Sequence, residues 1–159
     1  MYNYKEREKM ERKNLEKTIK FALDKEHEAV DFYKHCSSLT SRPEMKDVFL
    51  EMAEEEKKHV RMLENFKPEQ VEKIKLKKIP DLKLSDYLVD MKFSPDMSYQ
   101  DLLILAMKRE EASVKLYTDF TQNESDPALI KLFQILAQEE LRHKNQLQRE
   151  YDDFILKNN

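Results

Sequence analysis

The chain contains the same helical hairpin twice. Shifting the 159-residue sequence by 84 positions lays Ala106–Leu147 on Ala22–Leu63 without a gap, and 12 of the 42 pairs are identical. They include Glu26 with Glu110, Tyr33 with Tyr117, Pro43 with Pro127, Phe49 with Phe133, Glu55 with Glu139, Glu56 with Glu140, His59 with His143 and Leu63 with Leu147. Unrelated helices of ordinary composition would share roughly two to four such identities. Two copies of one hairpin can pack about a pseudo-twofold axis, so a residue kept in both copies is expected to meet its own copy in the interior.

Each copy reads as helix. Glycine is absent, there are five prolines, and Leu, Lys, Glu, Ala and Met abound, all of which favour helix over strand. Apolar residues recur at helical spacing in four segments, about 11–39, 43–66, 98–122 and 127–156. Ser41 and Pro43 are expected to open the second helix, Asp96 or Ser98 the third, and Ser125, Asp126 and Pro127 the fourth. Pro68 is expected to end the second. Between 67 and 97 the pattern weakens and Pro80 and Pro95 interrupt it, which makes a long crossover with room for a short helix at LSDYLVD. The expected fold is all-α, one domain over 1–159: two antiparallel helical hairpins joined by a long crossover, the order of a ferritin-like four-helix bundle.

Charged residues form 38% of the chain, yet the net charge is only -3. No overall field would draw nucleic acid or an anionic membrane. Lys73, Lys75, Lys77 and Lys78 alternate with apolar residues and read as a solvated connector. No run of about 18 apolar residues and no signal core is present, so a cytoplasmic protein is expected. The one cysteine, Cys36, cannot form an internal disulfide or a four-cysteine metal knuckle.

Position singles out six of the ionisable residues. Phe49, Met52, Glu56, His59 and Leu63 are spaced 3, 4, 3 and 4 apart, so Glu56 and His59 lie on an apolar seam. Phe133, Leu136, Glu140, His143 and Leu147 repeat that pattern. Glu26 lies on the first stripe between Leu23 and Val30, and Glu110 on the third between Met107 and Val114. Four inward carboxylates are costly unless neutralised, and no Lys or Arg recurs on the seams. Two divalent cations would balance them. A donor set of four carboxylates and two imidazoles suits iron or manganese, with zinc also able to enter.

Tyr33 and Tyr117, seven residues after Glu26 and Glu110, fall on the same faces and are placed to hydrogen-bond the carboxylates. Glu55 and Glu139 sit about 100° around their helices and read as supporting or exposed. His27 and His35 have no histidine counterpart and are assigned to the surface.

The set Glu26...Glu56-Lys-Lys-His59 and Glu110...Glu140-Leu-Arg-His143, with its two tyrosines, resembles the rubrerythrin branch of the ferritin-like superfamily from about Phe21 to Tyr151. The resemblance implies two iron ions, bridged by Glu56 and Glu140, with Glu26 and Glu110 as terminal ligands and His59 and His143 each on one iron. It implies reduction of hydrogen peroxide or O2 by ferrous iron that a reductase then restores, and a homodimer or higher homo-oligomer. Rubrerythrins carry a four-cysteine rubredoxin domain; with one cysteine, this chain would draw electrons from an external donor such as a rubredoxin-type protein. Rubrerythrins also have a glutamate where this chain has Ser113, so their redox-linked ligand exchange is not carried over. Two other readings use the same residues: a ferroxidase or iron-storage protein, and a bundle whose metal only stabilises it.

Overall fold

A computed structural model describes residues 3–76, 78–82 and 92–158. The described secondary structure is helical: α1 (Tyr4–Leu39), α2 (Pro43–Glu64), α3 (Pro68–Val71), α4 (Tyr99–Asn123) and α5 (Pro127–Asn158). They fall into two compact units, Met1–Phe66 and Lys67–Asn159.

In the first unit α1 and α2 pack against each other. The turn between them is three residues long because Thr40 ends α1, its hydroxyl donating to the Cys36 carbonyl at 2.8 Å, and Pro43 starts α2 at its first position. Such short connections force antiparallel neighbours. Arg42, not the expected Ser41, is the N-cap of α2 and makes no side-chain cap; the following proline holds it extended and already removes one N–H that a cap would serve. Tyr33 and Phe49 stack with ring centroids 6.4 Å apart.

α1 starts at Tyr4, seven residues before the stripe that marks it in the sequence. Asn3 and Glu6 form a reciprocal capping box, with bonds of 2.9 and 3.0 Å, which satisfies free N–H groups of the first turn.

In the second unit α4 and α5 pack together and α3 touches α5. Ser98 caps α4 by accepting from the Asp101 N–H at 3.1 Å. Asp126 Oδ1 accepts from the N–H of Ala128 at 2.9 Å and of Leu129 at 3.4 Å, ahead of Pro127-led α5. Tyr117 stacks on Phe133 at 6.1 Å, the same pairing the first hairpin makes. Pro68, expected only to stop a helix, also begins the four-residue α3, since proline fits the first helical turn as well as it breaks an interior one. The expected helix at LSDYLVD lies outside the described residues. Lys73, Lys75 and Lys78 are exposed, as a solvated connector requires. Among the described residues no helix is long and apolar enough to cross a membrane.

Candidate metal centre

Each unit brings three of the six singled-out side chains together. In the first, α1 supplies Glu26 and α2 supplies Glu56 and His59. All three are nearly sealed from solvent, at 3%, 0% and 3% exposure. The Glu-x-x-His spacing puts Glu56 and His59 one turn apart on one face, and His59 Nδ1 lies 3.2 Å from Glu56 Oε2 and 3.4 Å from Glu26 Oε2. The second unit repeats the group with Glu110 on α4 and Glu140 and His143 on α5, all buried. There His143 Nδ1 lies 3.8 Å from Glu110 Oε1.

Within each group, one donor atom per residue lies within 4.8 Å of the other two. A cation bonded at about 2.0–2.2 Å to each donor would hold them at most about 4.4 Å apart, so each group is close to a coordination sphere before any ion binds. Oxygen donors with one imidazole are the chemistry of iron and manganese sites. Two ionised carboxylates and a neutral imidazole carry the charge that one divalent ion cancels. The donor chemistry therefore fits a metal in both groups.

Electrostatics point the same way. The Glu26 carboxyl is raised from 4.5 to about 8, first by burial, then by the hydrogen bond and charge of Glu56, with His59 opposing. Buried carboxylates this close resist ionising together. A cation reverses that preference.

Residues beside the motif behave as their helical angle dictates. Glu55 and Glu139 turn outward and pair with the basic residue three positions on: Lys58 at 2.8 Å and Arg142 at 2.9 Å. His27 and His35 are exposed. Cys36 is fully buried. Tyr33 and Tyr117 are each 1% exposed. Two polar residues passed over in the sequence, Lys144 and Asn145, are also buried, at 3% and 2%. The one signal for them was a broken repeat, since their counterparts are Val60 and Arg61.

A family model described as Rubrerythrin matches residues 13–151, most of the chain. The chain belongs to the rubrerythrin family. Its fold class is accordingly all-α and ferritin-like, and the family implies a di-iron carboxylate protein. No curated protein and no solved structure matches it.

Proposed function

We propose that this rubrerythrin-family chain is a non-haem di-iron oxidoreductase that reduces hydrogen peroxide or O2 with electrons from an external donor. The observation that carries this reading is the duplicated Glu, Glu, His group, buried in both units and built on equivalent positions of two hairpins.

In this proposal the two groups share a pair of iron ions. Glu56 and Glu140 would serve as the shared carboxylate ligands, Glu26 and Glu110 as terminal carboxylate ligands, and His59 and His143 as one imidazole ligand each. Iron held there would supply two reducing equivalents, which with two protons balance the reduction of hydrogen peroxide to two waters.

The protein's own part is to hold four carboxylates at helix positions that cannot move far. Burial keeps water away and makes every charge in the site count for more. Glu26 must release its proton as a cation enters, because its carboxyl is held protonated to about pH 8 without one. Tyr33 and Tyr117, buried with rings fixed against Phe49 and Phe133, supply hydroxyls that need a partner; in the proposal that partner is a ligating carboxylate. Cys36 alone cannot build a four-cysteine electron-transfer centre, so the donor lies outside these 159 residues. Self-association into a homodimer or larger homo-oligomer belongs to the same proposal.

Stopped-flow spectroscopy of anaerobically reduced protein tests the reaction. Mixing with peroxide is expected to produce a diferric absorption band that a reductant bleaches, repeatedly. Uptake of many irons per chain with no peroxide turnover would mark iron itself as the substrate instead. Metal that raises thermal stability without either response would mark a structural role.

A further inference from the structure

α5 is covered on more than one side at the level of His143. Successive helical residues are 100° apart, so Lys144 and Asn145 point about 100° and 200° away from His143. Both are buried nonetheless.

Their cover is the crossover. Asn145 Nδ2 donates to the Pro80 carbonyl at 2.7 Å, and the Leu82 N–H donates to Asn145 Oδ1 at 3.3 Å. The carboxamide thus both donates to and accepts from the crossover backbone, as a peptide group would. Between those two bonds, Lys144 Nζ meets Asp81 Oδ1 at 2.7 Å. Two consecutive helix residues therefore grip three consecutive crossover residues.

Among the described residues the first hairpin shows no counterpart to this. Val60 stands where Lys144 does and Arg61 where Asn145 does; Val60 is a buried apolar residue and Arg61 is exposed. The hairpin copy in the first unit folds without such a grip, so folding of the hairpin does not explain it. The grip is attached to the turn that bears His143.

We propose that Lys144, Asn145 and Asp81 form a clasp that positions His143, clamping the back of its helical turn so that the imidazole is held more rigidly than that of His59. This rests on reading Glu110, Glu140 and His143 as a metal-binding group. Lys144 is buried while the Asp81 side chain is 37% exposed, so removing Asp81 alone would leave the ammonium buried without its partner, whereas replacing both with apolar groups is far milder. The clasp is thus tested with Asn145→Ala and with the double variant Asp81→Ala, Lys144→Met, using Arg61→Ala as the control.

In the metal-free full chain, the histidine ring nitrogens are followed by NMR. Both clasp variants are expected to shift or broaden the His143 ring signals while those of His59 stay in place, and Arg61→Ala is expected to move neither. Titration with ferrous iron is expected to show one of the two metal equivalents weakened about tenfold, the lower end of what residues supporting a ligand contribute. His143 signals unchanged in both variants, or His59 signals displaced as far as those of His143, would overturn the clasp. Should the parent protein bind no iron, the metal reading fails, and the ring signals alone still decide whether the clasp holds His143.

Discussion

His59 Nδ1 lies 3.2 Å from Oε2 of Glu56, one turn earlier on α2, with both side chains almost wholly buried. Two groups so placed either share a proton or share a cation. Much of the behaviour expected of this protein follows from which of the two they hold.

The metal-free protein is expected to lose stability as pH rises. The Glu26 carboxyl holds its proton to about pH 8 in the folded chain against an ordinary value of 4.5. Between those values the folded state binds more protons than the unfolded one, so folding is favoured at the acid end and weakens toward pH 8. Thermal melts of metal-free protein from pH 5 to pH 8 should fall steadily. Adding ferrous iron should flatten that slope, since a cation stabilises the ionised carboxylate. The same linkage predicts proton release on metal binding near pH 7, seen by calorimetry as a heat that depends on the buffer's ionisation enthalpy.

Removing metal should destabilise the folded chain. A ligand present at 100 times its dissociation constant stabilises by about 2.7 kcal/mol. Addition of a chelator is expected to lower Tm at pH 7 and to do nothing to a Glu56→Ala, Glu140→Ala variant, which has lost the proposed bridging carboxylates.

Tyr33→Phe keeps the ring on Phe49 and removes only the hydroxyl. If the hydroxyl bonds a ligating carboxylate as proposed, its loss is expected to cost about 1 kcal/mol and to change the spectrum of the iron-loaded protein. Phe49→Ala removes the stacking partner itself and should cost about 3–5 kcal/mol.

Asp126→Ala separates fold from site. Its carboxylate caps α5 through the N–H groups of Ala128 and Leu129, and losing such a cap typically costs about 1 kcal/mol. Urea denaturation should show that loss, while iron content stays at the parent value.

What could be read in the sequence depended on whether the information was local or repeated. The six inward residues were visible because each half confirms the other: Glu56 within a run of charged residues means little until Glu140 recurs 84 positions later on the same seam. Ser98 and Asp126 were legible as caps because capping works over three residues. The first turns of α1 were not, since residues 5–14 are polar on nearly every side and leave no stripe to follow; a capping box at Asn3 and Glu6 starts the helix instead. Pro68 marks a stop in the sequence pattern and in the fold is also a start, an ambiguity inherent in a residue that suits the first turn alone. The pairing of Lys144 with Asp81, 63 residues away, leaves no local trace.

The most direct test of the account is iron content after anaerobic reconstitution and removal of unbound metal. The parent chain is expected to retain about two irons, as a paired Glu, Glu-x-x-His bundle site does, and the Glu56→Ala, Glu140→Ala variant close to none while remaining helical. A folded variant that keeps as much iron as the parent would contradict the assignment of these residues as ligands.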